Sequence, residues 1–550
     1  MIPVIKVPHW VSPFKSGVPV EDSILLNRLY DYPVKYWPDK PVISDGLTTY
    51  SFVELYNLSV ALATRFVLSG IKKGDRIMVI AEKYSEMAIV VPAIWKCGAV
   101  YVPVDPSNPV ARNEYLFNSI NPRLVIVPAG NSGKYNLAFA KCPIIYFEQI
   151  RSSLHGEEPE KVVFPNIDEQ DLAYIMHTSG STGEPKGVMI EHGSVIDYFY
   201  NHNLVLKFTE SSYCLSNAPF YFDVSIEDTF LPLSVGASVY QYRGLTVSAL
   251  VLSLISREGI THLIAVSTVL ALITGDGEKL AKTDLTKLEM VMTGAEVCDI
   301  KVINTWKKAA PHVRVLNVYG PTETTIVCTA YTIEQADHDR TAFYPIGKPL
   351  NNVSVLLFDE NAAVIEQRHL KGTLFVGGSQ VMRGYWNDDA LTSQVIINYK
   401  GTRYYNTGDI CYWDDNGDLV FCGRNDDEIK LLGRRINLLE IKRKFLQFPY
   451  IKSAAIGVIT VDGRKLLAAV VALNTDAGRL KIMDMRECLK EQLPIYMIPE
   501  FIGIVETPLL SRTGKNDDKT IMSLFEKAIG PESGNIYVFD ETGRFVPLTY

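Results

Sequence analysis

Short apolar runs alternate with longer amphipathic stretches through the first part of the chain. In the stretch 51–70, apolar residues recur at a spacing that puts them on one face of a helix. Ser51 and Glu54 stand at the spacing of a capping box, and Gly70 follows the last apolar position. We therefore predict a helix that starts at Ser51 and stops at Gly70.

This helix is followed by an alternation of strands and helices. The run RIMVIAE predicts a strand, YSEMAIVVPAIWKCG a helix and AVYVPV the next strand. Strand, helix and strand in this order predict neighbouring parallel strands. Later apolar runs predict further strands: RLVIVPA, PIIYF, AYIMHT, HLIAVS, LEMVMTG and RVLNVYG.

The pattern changes in the segment YWDDNGDLVFCGRNDDEIKLLGRRINLLEI. Its DDNGD turn signal lies between two apolar runs and predicts a β-hairpin. A densely charged stretch follows, and then a short αβ unit that includes SAAIGVIT and LLAAVVAL. We predict a domain boundary here, with a large α/β domain over 1–423, a small α+β domain over 424–528 and an unassigned tail over 529–550.

Composition excludes several classes of protein. The chain has 550 residues, 47% of them apolar and 21% charged, which is typical of a globular protein with several domains. The net charge of −8 and the lack of any Lys/Arg-rich run argue against nucleic-acid binding. No signal peptide or membrane-spanning stretch is predicted. The eight scattered cysteines, without CxxC, favour reduced thiols and a cytoplasmic location.

The loop HTSGSTGEPKGV concentrates glycines and hydroxyl side chains between two apolar runs. Glycines let backbone N–H groups converge on an anion, and hydroxyls and a lysine add donors and charge. The loop is not a Walker A motif, and VMIEH after it predicts a strand. A polyphosphate site and a plain surface hairpin both remain open at this point. The residues that could contact phosphate are Thr178, Ser179, Gly180, Ser181, Thr182, Gly183 and Lys186.

A series of motifs in matching order resembles the adenylate-forming superfamily, and within it a stand-alone amino acid adenylation enzyme of the nonribosomal peptide synthetase type. The phosphate loop is followed by FDVS, NVYGPTETT, YYNTGD, GRNDDEIKLLGRRINLLEI and SRTGK, and KCGAVYVPVDPSNP precedes it. The resemblance covers roughly residues 20 to 525. It implies a large N-terminal domain with a β-barrel-like part and a small mobile C-terminal domain.

The resemblance implies activation of a carboxylic acid by ATP, with Mg²⁺ and release of pyrophosphate. Lys515 would bridge the carboxylate and the α-phosphate, and Glu323 would hold Mg²⁺. The C-terminal domain would alternate between two placements about the hinge residue Asp426, one bringing in Lys515 and the other the region around Gly433. The residues implied in nucleotide binding are Asn317, Tyr319, Thr322, Asp409, Phe421 and Arg424.

The acid is predicted to be an amino acid, because Asp223 matches the aspartate that pairs with the substrate α-ammonium in such members. A buried carboxylate is costly without a partner, so a plain acid would bind poorly beside it. Glu227 favours a basic side chain if it faces the pocket; if it belongs to a helix first turn, an aliphatic side chain fits equally. The implied pocket lining is Val224, Glu227, Ile264, Met292, Gly294, Val318, Ile326 and Val327.

Departures from the family pattern concern the partner surface. His177 replaces a usual aromatic residue, and Asn437 and Leu439 are unusual beside the face that receives a thiol. No carrier motif follows Lys515, so we expect a phosphopantetheinylated carrier protein supplied in trans. A β-amino acid ligase, an acyl- or aryl-CoA synthetase and a catalytically inactive scaffold remain alternatives.

Overall fold

The computed structural model describes residues 25–127, 137–147, 162–180, 184–425, 428–431, 433–461, 464–473, 482–505, 518–529, 536–539 and 545–547. Within these ranges the α-helices are α1 (Asp31–Tyr36), α2 (Phe52–Leu68), α3 (Met87–Lys96), α4 (Val110–Ile120), α5 (His192–Leu206), α6 (Leu231–Ser234), α7 (Ser248–Glu258), α8 (Ser267–Thr274), α9 (Glu278–Lys282), α10 (Ile300–Ala309), α11 (Asp389–Val395), α12 (Leu438–Leu446), α13 (Ile482–Lys490) and α14 (Asp518–Ala528). Short 3₁₀ turns span Leu26–Arg28, Thr322–Thr324 and Ile495–Met497, and a π-helical turn spans Ile226–Phe230.

Helix α2 begins and ends where the sequence predicts. The Ser51 hydroxyl accepts a hydrogen bond from the Glu54 backbone N–H, and the Glu54 carboxylate accepts from the Ser51 N–H, which completes the capping box. Gly70 follows the helix with φ of +84°, a conformation that glycine adopts without strain. Local sequence is sufficient here because both ends are set by side chains within the helix or next to it.

A nine-stranded sheet forms one half of the large domain. Its central strands, β13 to β1 in the order below, are parallel, and both edges are antiparallel. In spatial order the strands are β15 (Lys348–Pro349), β14 (Thr329–Ile333), β13 (Arg314–Tyr319), β12 (Met290–Thr293), β11 (His262–Ile264), β9 (Tyr213–Ser216), β10 (Ser238–Gln241), β1 (Pro41–Ser44) and β2 (Thr49–Ser51).

A seven-stranded sheet forms the other half. Its strands in spatial order are β18 (Gly384–Tyr385), β8 (Lys186–Glu191), β7 (Leu172–Thr178), β4 (Val100–Val104), β3 (Arg76–Ile80), β5 (Leu124–Val127) and β6 (Ile144–Tyr146). The predicted parallel pairing of β3 with β4 across helix α3 is confirmed. The largest buried apolar cluster joins both sheets through α2, α3 and α5, with Phe66, Trp95 and Phe199 among its members.

A third, antiparallel sheet is the β-barrel-like part of the large domain. Its strands are β16 (Val353–Phe358), β17 (Gly372–Gly378), β20 (Thr402–Trp413) and β19 (Ile396–Tyr399), with β21 (Leu419–Arg424) paired to β20. The predicted hairpin is confirmed, since β20 and β21 pair on either side of the DDNGD turn. The mixed α/β fold class of the large domain is therefore as predicted.

The C-terminal part contains a two-stranded hairpin and a separate five-stranded sheet. The hairpin consists of β22 (Glu428–Leu431) and β23 (Arg434–Asn437). The sheet contains β24 (Ile451–Val461), β25 (Arg464–Leu473), β26 (Phe501–Val505), β27 (Ile536–Phe539) and β28 (Phe545–Pro547).

The last two strands come from the tail that the sequence leaves unassigned. Strand β27 runs parallel to β26, and β28 pairs antiparallel with β27. Tyr537 is buried and its ring packs edge-on against Phe525 of α14, with 5.4 Å between centroids. The described part of the tail is thus an integral layer of the small sheet. Across the described ranges, no helix has the length and apolar character needed to cross a bilayer.

Candidate active site

The predicted side-chain pocket lies at the carboxyl ends of adjacent parallel strands. Strands β9, β11, β12 and β13 are neighbours in the large sheet and end on the same side, which is where open α/β sheets bind ligands. Most of the predicted lining is brought together here and is buried: Ile264, Met292, Gly294, Val318, Ile326 and Val327, with Val224 half-buried beside them.

Gly294 has a second role besides leaving space. A Cβ atom at this position would meet the Val318 carbonyl oxygen at 2.5 Å. The backbone of β13 therefore approaches the end of β12 too closely for any side chain, and the glycine is required by that contact.

Two β-branched residues in the left-handed region shape one wall of the pocket. Thr325 has φ of 56° and Ile326 has φ of 73°. Such conformations cost energy for branched side chains and persist only when the surroundings enforce them. The buried Gln380 does so, because its amide donates to the carbonyls of Thr324, Thr325 and Val327. Sequence reasoning missed this clamp, since nothing local links residue 380 to the turn.

Asp223, beside Val224 and Thr322, has an unused acceptor. Its Oδ2 atom is buried and has no hydrogen-bond partner within the described ranges. Burial raises its pKa to about 6, although hydrogen bonds from the Thr322 hydroxyl and the Val224 N–H oppose the rise. Thr322, predicted to contact phosphate, is thus also a neighbour of the predicted amino-acid anchor.

Glu227 is fully buried in the π-helical turn and contacts a histidine. Its Oε1 atom lies 2.6 Å from Nδ1 of His202, which comes from helix α5. Glu227 does lie in the first turn of this helical segment, as one of the two predicted alternatives has it, and its carboxylate is buried inside the molecule. His202 has no sequence motif and could not be anticipated.

Glu323 is held by positive charge. It lies in the 3₁₀ turn Thr322–Thr324, with Arg435 donating to both carboxylate oxygens at 3.0 and 2.9 Å and Lys186 Nζ 3.5 Å away. The Tyr385 hydroxyl donates to Oε1 at 2.8 Å. Burial raises the pKa of Glu323, but the charges of Arg435 and Lys186 outweigh burial and lower it to about 2.

The predicted ribose-binding residues form one network. Arg424 donates to Asp409 Oδ1 at 2.6 Å and to Glu428 Oε2 at 2.9 Å, and the Tyr319 hydroxyl donates to Asp409 Oδ2. Asp409 and Arg424 are cross-strand partners in β20 and β21, so the pair is set by sheet register. The Lys430 ammonium lies 5.2 Å from the centre of the Tyr319 ring.

Two further predicted nucleotide contacts lie beside this network. The Asn317 amide nitrogen donates to the carbonyls of Tyr344 and Pro345 at 3.3 and 2.7 Å. Phe421 is half-buried on β21 and packs against the main core. Their contacts to adenine stay predictions.

The predicted phosphate loop connects β7 and β8, which pair antiparallel. Thr178 and Lys186 are opposite each other in this hairpin, and a strand follows the loop as predicted. The Thr178 hydroxyl is buried and has no partner in the described part of the chain, whereas Ser179 donates to the Arg435 carbonyl at 2.9 Å. Gly180 is buried. The predicted contacts Ser181, Thr182 and Gly183 lie outside the described residues.

Burial lowers the pKa of the Lys186 ammonium, and the positive charge of Arg435 lowers it further. Lys186 Nζ lies beside oxygen atoms of two side chains, 3.1 Å from the Tyr385 hydroxyl and 3.9 Å from the Glu428 carboxylate. The Lys186 ammonium therefore points away from solvent, towards the pair of carboxylates Glu323 and Glu428, which we call the acidic centre.

The hairpin β22–β23 fills part of the predicted nucleotide site. Besides contacting Glu323, Arg435 forms an ion pair with Glu428 of its own hairpin. The Gly433 N–H donates to Glu296 at 3.0 Å, so the Gly433 region contacts the large domain. Gly433 belongs to the region that one of the two predicted placements would bring in, and the alternation between the placements stays a prediction. Lys515 and the hinge residue Asp426 lie outside the described residues.

Further contacts hold the C-terminal part against the large domain. Arg112 pairs with the buried Glu440 at 2.7 Å. Arg434 contacts Asp105 at 3.4 Å and donates to the Tyr221 hydroxyl at 3.1 Å. Asn437, noted as unusual in sequence, accepts a hydrogen bond from the Leu439 N–H and caps helix α12.

The acidic centre fits a bound cation. Glu323 is buried, ionised and already paired with a guanidinium, so the position accepts positive charge. Among the described residues, no three acidic, histidine or cysteine side chains converge on one point. A magnesium ion here would take one carboxylate from the protein and its other ligands from phosphates and water, as Mg²⁺ commonly does.

The chain belongs to the AMP-binding enzyme family, whose sequence profile matches residues 31–386. It is therefore an adenylate-forming enzyme, as the motifs predict, and AMP-binding enzymes use ATP. Over 503 residues it is 30% identical to one of the plipastatin synthase proteins from Bacillus subtilis. That alignment covers 90% of this chain and 19% of the relative, so the chain spans about a fifth of the relative's length. The relationship supports an adenylation enzyme of the nonribosomal peptide synthetase type.

Solved structures share the fold. An NRPS protein with adenylation and PCP domains, PA1221, has a TM-score of 0.79 at 24% identity, covering 90% of this chain and 84% of that one. The o-succinylbenzoate CoA synthetase from Bacillus subtilis has a TM-score of 0.78 at 19% identity, covering 90% and 98%. Because both kinds of enzyme share the fold, the fold does not distinguish their substrates.

Proposed function

We propose that the protein activates an amino acid as its aminoacyl adenylate. The observation that carries this proposal is Asp223, a carboxylate with a buried, unused acceptor beside Thr322 and Val224. An ammonium group supplies the charge and the donors that such a carboxylate lacks. An acid without an amino group would leave Asp223 unpaired, which disfavours acyl- and aryl-CoA synthesis.

The reaction needs positioning and charge neutralisation, because the substrate carboxylate is already a nucleophile. Asp223 holds the α-ammonium, and the pocket holds the side chain. The substrate carboxylate then faces Thr322 and Glu323. Asp409 accepts hydrogen bonds from the ribose hydroxyls, and Lys515 stabilises the negative charge that develops as the carboxylate attacks the α-phosphate. Magnesium at Glu323 would neutralise the phosphate oxygens and the leaving pyrophosphate.

Nucleotide binding in this scheme requires rearrangement of the acidic centre. Arg435 of the β22–β23 hairpin pairs with Glu323, the residue predicted to hold the metal. The nucleotide complex therefore differs from the observed arrangement by withdrawal of the β22–β23 hairpin. Withdrawal frees Glu323 for the metal and gives Lys515 access to the α-phosphate.

We further propose that the activated acid passes to the phosphopantetheine thiol of a carrier protein supplied in trans. The contacts of Gly433 with Val266 and Glu296 support this step, because the proposed adenylation placement would instead bring in the Lys515 region. A β-amino acid substrate stays an alternative, and so does a fold retained without activity.

The test is amino-acid-dependent exchange of pyrophosphate into ATP, over α-, β-, basic and aliphatic amino acids and simple carboxylic acids. We expect exchange with a small set of amino acids and none with fatty or aryl acids. Exchange with those acids alone would refute the role of Asp223, and no exchange at all would favour an inactive scaffold.

Lys515→Ala provides the second test. We expect it to lose adenylate formation by about 100-fold or more, the scale of removing one charge-stabilising group, while ATP affinity stays within about threefold. An active Lys515→Ala enzyme would remove this lysine from the mechanism.

A further inference from the structure

A polar cluster underlies the apolar side-chain pocket. It contains Tyr174 of β7, Tyr198 and His202 of α5, and Glu227 of the π-helical turn, all with 0% of their surface exposed. Burial raises the pKa of both tyrosines, and the charge of Asp223 raises it further. The cluster therefore lies within electrostatic range of Asp223.

His202 is the titratable base in contact with Glu227. Its Nδ1 atom lies 2.6 Å from Glu227 Oε1 and 2.7 Å from the Tyr198 hydroxyl. Tyr198 is also close to Glu227, but neither carboxylate oxygen has a partner of good hydrogen-bond geometry among the described residues. Because hydrogen bonds to Glu227 are lacking among these residues, its buried carboxylate depends on a neighbouring positive charge for stabilisation.

The nearby lysine is used elsewhere. Lys83 Nζ donates to the Ser216 hydroxyl and the Ala218 carbonyl, at 3.0 and 2.7 Å. Its charge acts on Asp228, the residue after Glu227, whose carboxylate also accepts from two backbone N–H groups. Within the described part of the chain, the imidazole of His202 is the basic group that contacts Glu227, and a cationic substrate would be the alternative source of positive charge.

We propose that His202 is the built-in counter-ion of Glu227, and that the pocket consequently selects amino acids whose side chains carry no positive charge. The inference rests on the proposed amino acid adenylation and names the substrate class of that site. The His202 ring nitrogen, 2.6 Å from Glu227 Oε1, already occupies a contact position on this carboxylate that a substrate ammonium would need. A substrate ammonium would have to displace the ring or lie beside a second positive charge.

The apolar lining agrees with this selection. If His202 pairs with Glu227, the remaining predicted lining for the substrate side chain is apolar. It includes Val224, Ile264, Met292 and Val318. An aliphatic side chain gains by burial against such a surface, whereas a charged one loses its hydration. His202 is thus a positioning residue that acts through Glu227.

The first measurement uses the wild-type chain in pyrophosphate exchange. We expect kcat/KM for the best uncharged amino acid to exceed that for lysine, ornithine and diaminobutyrate by about 100-fold or more, the scale set by an uncompensated buried charge. Preference for any of these basic amino acids would overturn the inference and leave the proposed function standing. No exchange with any amino acid would overturn both.

The second measurement removes the counter-ion. We expect His202→Ala to shift the kcat/KM ratio of ornithine to the best uncharged amino acid upward by at least tenfold, since Glu227 then recruits the substrate ammonium. The double variant His202→Ala/Glu227→Gln should return the ratio to the wild-type value. An unchanged ratio in His202→Ala would overturn the inference.

The matched control is His192→Ala. His192 is equally buried and lies on the same helix, and neither of its ring nitrogens has a hydrogen-bond partner in the described ranges. It should lower stability without changing the ratio. Glu227→Gln is the second variant should His202→Ala not fold: it should keep the preference for uncharged amino acids, and gain of activity on ornithine would overturn the inference.

Discussion

Asp223 and Glu323 are buried carboxylates whose surroundings move their pKa values in opposite directions. Burial raises the pKa of Asp223 to about 6, with the charges of Glu323 and Glu227 adding to the rise and the hydrogen bonds from Thr322 and Val224 opposing it. Glu323 is fully buried, but Arg435 and Lys186 bring its pKa down to about 2. Asp223 can therefore bind a cationic ligand directly, whereas Glu323 can bind one only by releasing a cation that it already contacts.

The pH dependence of amino acid capture follows from Asp223. Its carboxylate attracts an ammonium only when ionised, so we expect kcat/KM for the amino acid to fall as the pH decreases through about 6. Glu323 stays ionised above pH 3 or so and should add no inflection near neutrality. The measurement is pyrophosphate exchange between pH 5 and 8, roughly the range that brackets the pKa.

Asp223→Asn should remove that inflection and raise KM for the amino acid by about 100-fold, because a buried ammonium loses its counter-ion. KM for ATP should change little. The exposed Asp284→Asn serves as the control. An inflection that survives in Asp223→Asn would assign it to another group.

At the scale of elements, the hairpin β22–β23 decides the state of the acidic centre. It is short, and its Glu428 and Arg435 pair with each other and with side chains of the large domain. A guanidinium on Glu323 occupies the carboxylate that a metal–nucleotide complex would use. In the proposed mechanism, the hairpin and the nucleotide therefore compete for Glu323.

We expect Arg435→Ala to lower KM for magnesium–ATP by roughly threefold to tenfold, because the binding-competent state becomes more populated. Arg434→Ala is the matched control, since Arg434 contacts Tyr221 and Asp105 instead of Glu323. An increase in KM for ATP in Arg435→Ala would show that the guanidinium helps to bind the nucleotide.

Elements with local signals were the predictable ones. Helix α2 carries its own cap, and the DDNGD turn fixes the pairing of β20 with β21. The tail strand β27 could not be predicted, because β27 is stabilised by its neighbour β26 and by α14 and not by its own sequence.

At the scale of the whole molecule, one glycine allows the C-terminal part to approach the large domain. Gly433 has φ of +72°, and a Cβ atom there would meet Val266 side-chain atoms at 2.9 to 3.1 Å. We expect Gly433→Leu to reduce thioester formation on a carrier by about 100-fold while pyrophosphate exchange stays within about threefold, since the clash blocks only this placement.

Gly417→Leu is the matched control for that variant. Gly417 has a similar φ of +71°, but a Cβ atom at this position would meet no atom within 4 Å. The Gly417→Leu variant therefore tests backbone strain without the clash. Both half-reactions should persist in Gly417→Leu. Equal loss of both half-reactions in Gly433→Leu would indicate a folding defect and contradict the prediction.

The tail also acts at this scale, because its strands complete the small sheet. Removing residues 530–550 deletes β27 and β28, exposes the edge of β26 and uncovers Phe525. We expect a loss of about 3 to 5 kcal/mol in the small domain, similar to deleting one buried aromatic core residue. Thermal unfolding measures it, and a chain ending after Pro547 is the control. An unchanged melting profile would contradict this role of the tail.

The family and the alternation of strands and helices could be predicted from sequence, and Asp223, Glu323 and Asp409 could be singled out, because these depend on local pattern and on motifs in a fixed order. Tertiary structure alone decided that His202 meets Glu227, that Gln380 clamps the strained turn and that Arg435 sits on Glu323. The partners in these contacts are 25, 55 and 112 residues apart along the chain, respectively. Such contacts arise only when packing brings distant elements together, so no local pattern encodes them.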